Sequence, residues 1–129
     1  MTLIYSLEEV RSRKGMYFAR ARKTGKVSLE QIAKQIAENT TAKPGDVYLV
    51  LTELIDVMRY QLHAGKEVEL PGIGKFYIGI KSDMVDDPEA FSAANIRGFR
   101  LNFRPWKHRD PLTWKLSCPL LEGIKTKRM

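Results

Sequence analysis

Residues 67–76 read EVELPGIGKF, and their pattern decides how the chain is built around them. Val68 and Leu70 alternate with Glu67 and Glu69, the period of a half-buried strand. Pro71, Gly72 and Gly74 then impose a tight bend, because proline presets one backbone angle and glycine accepts angles that other residues resist. Lys75-Phe76-Tyr77-Ile78 restarts as a second strand. A glycine-rich turn can do nothing more than join two strands. Here it also presents backbone N–H groups beside Lys75, which suits an anionic backbone better than a small molecule.

Upstream, the spacing predicts a long helix from about Pro44 to Ala64, stopped by Gly65. Asp46 lies in its first turn, where negative charge is favoured. Val47, Val50, Leu51, Leu54, Ile55, Met58 and Leu62 form its main stripe, but Leu49, Val57 and Tyr60 fall outside it. A helix apolar on more than one side, in a chain this short, calls for a partner subunit. A shorter helix precedes it. Ser28 and Gln31 form a capping box, Val27 and Ile32 are spaced for a hydrophobic staple, and Leu29, Ile32, Ala33, Ile36 and Ala37 make one buried face. Asn39-Thr40-Thr41 ends it. Before that, Leu3-Ile4-Tyr5 and Met16–Arg22 read as strands around a loop at 11–15, with Phe18 and Ala19 on the apolar side and Arg20 and Arg22 opposite.

Downstream, residues 81–94 are polar and acidic, with Asp83, Asp86, Asp87 and Glu89 around Pro88. Residues 95–103, NIRGFRLNF, resume alternation, so the two flanking strands are expected to form a projecting β-ribbon. Leu112, Trp114 and Leu116 suggest a short element, Pro119 interrupts any long helix, and the basic tail Lys125–Arg128 is expected to fray.

With 129 residues the chain is the size of one domain. No run approaches the ~18–20 apolar residues of a membrane span, and MTLIYSLEEV lacks the features of a secretory signal. Cys118 is the only cysteine, so an internal disulfide is ruled out and a reducing cytoplasm is the simplest setting. Charge is the more informative property. Arg11, Arg13, Lys14, Arg20, Arg22, Lys23 and Lys26 share a segment with no acid and match the whole net charge of +7. Arg97, Arg100, Arg104, Lys107 and Arg109 make a second acid-free cluster. Two local basic patches point to an anionic polymer.

Catalytic and metal-binding chemistry finds no support. His63 and His108 are far apart, no Cys/His spacing suggests zinc, and the acids at 83–89 lack an EF-hand pattern. GIGKF lacks the remaining spacing of a phosphate-binding or dinucleotide loop. Trp106 and Trp114 read first as core and second as stacking platforms for bases. No cofactor and no small-molecule substrate are expected.

Taken together, these motifs resemble the HU/IHF family of bacterial histone-like DNA-bending proteins. Residues 70–76, LPGIGKF, match its Gly-x-Gly-x-Phe turn, and Phe103-Arg104-Pro105-x-Lys107 matches the signature after its arm. The strand-like segment before Val27 looks like an HU-related subfamily with an N-terminal extension. The resemblance implies an α+β, IHF-like fold: a helix pair, an antiparallel sheet with an extended ribbon arm, and an intertwined homodimer. Residues 1–26 would be the extension, 27–118 the HU-like domain and 119–129 a basic tail. Function would be sequence-tolerant binding and bending of double-stranded DNA through its phosphates and minor groove, in the nucleoid. Gly72, Gly74, Lys75, Lys81, Arg97, Arg100, Arg104 and Lys107 would be contact residues, with Arg20 and Arg22 added from the extension. Pro88 stands close to the family's intercalating proline, as a possible wedge. Yet the usual basic arm tip is replaced by Asp86-Asp87-Pro88-Glu89, and Trp106 stands where glycine is usual. A dimeric protein-interaction module on the same fold is the competing reading.

Overall fold

The computed structural model describes residues 1–129. In chain order the elements are β1 (Leu3–Glu9), β2 (Tyr17–Ala21), α1 (Leu29–Glu38), α2 (Pro44–His63), β3 (Val68–Leu70), β4 (Gly74–Ser82), β5 (Ile96–Pro105), β6 (His108–Arg109), β7 (Leu116–Ser117) and β8 (Thr126–Arg128), with short 3-10 turns between some of them. This is an α+β chain. No helix is long and apolar enough to cross a membrane. Two compact units divide it, Met1–Tyr48 with Leu121–Met129, and Leu49–Leu120.

In the first unit, β1 and β2 pair antiparallel, with Ser6 opposite Arg20 and Glu8 opposite Phe18. The first strand therefore runs beyond the expected Leu3–Tyr5. Phe18 and Arg20 lie on the same face, not on opposite ones, because strand side chains alternate with period two. The Arg20 guanidinium accordingly sits 5.4 Å from the centre of the Phe18 ring. The C-terminal residues do not fray. Thr126–Arg128 pair in parallel with β1, where the Leu3 N–H donates to the Lys125 carbonyl at 2.8 Å and the Met129 N–H to the Tyr5 carbonyl at 2.9 Å. α1 starts at the expected capping box. The Gln31 N–H donates to Ser28 Oγ (3.2 Å), and the Ser28 N–H donates to Gln31 Oε1 (2.8 Å). Ala33, on its apolar stripe, is 2% exposed.

The second unit takes up most of α2, which ends as its spacing predicts. Gly65 turns left-handed at φ 82°, its N–H donates to the Leu62 carbonyl, and the Lys66 N–H donates to that of Gln61. Both bonds satisfy carbonyls that the helix end would otherwise leave open. The chain then enters a three-stranded antiparallel sheet in the order β3-β4-β5. β3 pairs only with Gly74–Phe76, so from Tyr77 to Ser82 the β4–β5 pair continues as a two-stranded ribbon. In place of a C-terminal helix, β6 and β7 form a small hairpin.

The sheet has two unlike faces. Phe76, Ile78, Ile80, Phe99, Leu101 and Phe103 line one, where Phe76 and Phe103 stack at 4.9 Å between ring centres. α2 approaches this face across an open groove of about 490 Å³ lined by Ile55, Met58, Leu62, Ile78, Phe99 and Leu101. Nothing in the chain fills that groove: Phe99 and Leu101 are each 66% exposed and Ile55 57%.

Candidate nucleic-acid interface

The opposite face of the sheet is polar, and the strand register builds it. Lys75 faces Arg104, Tyr77 faces Asn102, Gly79 faces Arg100, and Lys81 faces Gly98. Residues directly opposed in an antiparallel pair share a face. Lys75, Lys81, Arg100 and Arg104 therefore stand together, spread over about 20 Å of strand. Gly79 and Gly98 contribute no side chain there; the space over Gly98 is open, whereas the Asn102 side chain occupies that over Gly79. A Cβ at Gly79 would come within 2.9 Å of the Asn102 amide nitrogen.

At the base of this face lies the turn. Pro71 and Gly72 are its central residues, Gly72 is left-handed at φ 88°, and the Ile73 N–H donates to the Leu70 carbonyl at 2.9 Å. This is the geometry in which Pro-Gly is favoured. The Ile73 N–H is thus used internally, while the Trp106 N–H donates to the Ile73 carbonyl at 3.0 Å and ties the chain after β5 to the turn. A cleft of about 460 Å³ beside it gathers Lys75, Arg104 and Lys107 with Glu67, Glu69 and Trp106. Arg104 lies over the Tyr77 ring, 5.4 Å from its centre, with Nε donating to the Tyr77 hydroxyl at 3.2 Å.

Arg97 stands apart from these. The register shifts between Lys81 and Ser82, so that Ser82 pairs with Ile96 and Arg97 is an extra residue in a β-bulge. The bulge returns Ile96 to the apolar face, which strict alternation would not. Arg97 makes a forked contact with Asp83: Nη2 donates to Oδ2 at 2.7 Å and Nε to both carboxylate oxygens at 3.0 Å. Beside it the Asn95 side-chain amide donates to Asp83 Oδ2 (3.2 Å), and the Asp83 N–H donates to the Asn95 carbonyl (2.9 Å). Arg97, then Asn95, hold the Asp83 carboxyl below the usual carboxylate range, and Asp83 holds Arg97 above its ordinary value. This clasp closes the acidic insert at its root. Pro88 opens a 3-10 turn inside the insert, exposed, with Asp87 Oδ1 accepting the Glu89 N–H at 3.1 Å.

Arg20 and Arg22, the expected contact residues of the first unit, are also engaged. Arg20 Nε donates to Glu8 at 2.8 Å, and Arg22 Nε to Ser6 Oγ at 2.6 Å. Tyr77, Asn102 and the Asp83 partner of Arg97 are the neighbours that sequence reasoning missed. The only advance signal was an acid ending one strand and a base opening the next.

A family model named HU-HIG, for an HU domain fused to wHTH, Ig or glycine-rich motif, matches residues 1–110. The chain belongs to the HU-HIG family. Among curated proteins none matches it. Among solved structures, the HU-HIG chain is similar in fold to a candidate bacterial DNA-binding protein from Bacteroides vulgatus, with TM-score 0.62 and 13% identity. That match covers 100% of this HU-HIG chain and 49% of the other, so the chain spans about half the length of the structure it matches.

Proposed function

We propose that this HU-HIG chain is a non-enzymatic, sequence-tolerant DNA-binding protein, working as a homodimer whose two ribbons hold the duplex along its minor groove and bend it. One observation carries this reading: the register that collects Lys75, Lys81, Arg100 and Arg104 on one face while the reverse face stays apolar. A strip of about 20 Å spans roughly six phosphate steps, at 3.4 Å of helix axis per step on one strand. Phosphate contacts position a protein without reading sequence. Lys107 and the turn at Gly72 and Gly74 extend the strip at its base. The structure from Bacteroides vulgatus, described as a candidate DNA-binding protein, supports the same reading. Such a protein would act in the nucleoid of the cytoplasm.

Dimerisation is supported by what the chain lacks. Ala33 and Val47 are its only buried apolar side chains. Ordering a backbone costs about 1–2 kcal/mol per residue, which burial on that scale does not offset. A second copy laid on α2 and the apolar sheet face would supply the missing core.

The test is duplex affinity across a salt series. Eight phosphate contacts per dimer predict a slope of log K against log salt near −7, at about 0.9 per contact. Lys81→Glu with Arg100→Glu should flatten it by roughly 3 to 4. An unaltered slope removes the ribbon from the interface. Bending is read separately, from end-to-end fluorescence transfer on a short labelled duplex.

The protein-interaction reading keeps one observation in its favour. Arg97 and Arg20 are each held by an acid, and the insert adds Asp86, Asp87 and Glu89 near the ribbon. Elution from a DNA column no later than ion exchange alone predicts would select that reading.

A further inference from the structure

The hairpin of β6 and β7 has no part in the strip of cations just described, yet it presents an aromatic ring under unusual constraint. Trp114 is the only non-glycine residue with a positive φ, at 60°. A bulky side chain in that region is disfavoured, and such positions persist where the surroundings over-determine them. Here the surroundings do. The Trp114 N–H donates to the Asp110 carbonyl at 2.8 Å, and the Asp110 N–H donates to the Lys115 carbonyl at 3.0 Å. Asp110 Oδ1 accepts the Leu112 N–H at 2.8 Å, which is the main reason that its carboxyl lies below the usual range. Arg109 Nη1 donates to the Trp114 carbonyl at 3.2 Å, while the guanidinium lies 5.6 Å from the centre of the Trp114 ring.

This constrained ring is not buried. Trp114 is 70% exposed. Arg109 covers one side of it, so the other side is open. The hairpin's own charges are mostly of one sign: Arg109 and Lys115 are basic, and its one acid, Asp110, is turned to its own backbone. A planar apolar surface backed by a guanidinium in a basic hairpin fits a planar ligand carried on an anionic chain. Duplex DNA hides the faces of its bases, whereas a single strand offers them.

We propose that the β6–β7 hairpin is a base-stacking site, in which Trp114, backed by Arg109, receives an unpaired base of single-stranded DNA. The inference rests on the DNA-binding reading and adds a second ligand form and a second surface to it.

The test uses the full chain carrying Trp106→Phe, so that Trp114 is its only tryptophan. Trp114 emission should be open to iodide in the free protein, then quenched and shielded by oligo(dT), and left unchanged by heparin, which carries charge without bases. Trp114→Gly removes the ring and places there a residue at ease with the observed φ, so the hairpin is retained; far-UV circular dichroism and thermal melting check that it is. Its affinity should fall about 5- to 150-fold more for oligo(dT) than for duplex, the range of one lost aromatic–base stack. Emission already shielded from iodide would mean that a second copy covers the ring, and overturns the proposal. Equal quenching by heparin, or equal losses on both DNA forms, does the same. Duplex binding with no response of Trp114 to oligo(dT) removes only this site, whereas failure to bind either form removes the DNA reading as well.

Discussion

At Gly74 the absence of one methyl group shapes the turn. A Cβ there would fall on the Arg104 carbonyl oxygen and within 2.6 Å of the Phe103 ring. That ring uses the space to pack against Phe76. Gly74→Ala should therefore cost about 2 kcal/mol or more in urea unfolding, beyond what an ordinary turn glycine costs. Asp83 governs a different property. Its pairing with Arg97 lowers its pKa, so the stability it contributes is complete above the ordinary carboxylate range and is lost as pH falls through the depressed value. In a carbon-detected NMR titration the Asp83 carboxyl should have a midpoint below the usual carboxylate range, and Arg97→Ala should raise it. Asp83→Asn should abolish that acid-side loss. If DNA reaches this part of the ribbon, the same change frees Arg97 and steepens the salt slope by about 0.9 for each phosphate gained.

Among the elements, β5 and β8 depend most on residues far away in sequence. The bulge at Arg97 lets one strand carry apolar residues at 96, 99, 101 and 103 on a single face despite the break in parity. Deleting Arg97 should restore strict alternation with Ile96 still on the apolar face, two residues before Phe99, and remove the forked contact with Asp83. β8 gives β1 a parallel neighbour, opposite the side taken by β2. Removal of residues 125–129 would leave the Leu3 N–H and the Tyr5 carbonyl without their partners. Hydrogen exchange should then accelerate at Leu3 by tenfold or more, since each lost 1.4 kcal/mol of local stability is about a factor of ten. Amides in β3–β5 should keep their rates.

For the whole molecule the governing quantity is uncovered apolar surface. Ile55, Ile80, Phe99 and Leu101 are each more than half exposed, and each is worth about 1.5–3 kcal/mol once covered. Multi-angle light scattering should return about twice the chain mass of 14.8 kDa. Ile55→Glu with Leu101→Glu should shift the population toward single chains and broaden the thermal transition, because a charge on either apolar face opposes its burial. A persistent dimer of normal stability in that variant would place the subunit contact elsewhere.

Much of this molecule was legible before any coordinates. The turn at 70–74, the capping box at Ser28, the stop at Gly65 and the two helices rest on interactions within a few residues. Composition and spacing report those directly. The order of these motifs also carried the family. The partners of Arg97, Arg104 and Phe18 were not legible, nor were the strand at 126–128 and the left-handed Trp114. Each depends on which distant strand pairs with which, and in what register, and a shift of one residue exchanges the faces of every side chain. Local chemistry therefore determined the two helices, the turn with its flanking strands and the excess of positive charge. Tertiary pairing alone decided which cations stand together on one face and which are already held by an acid.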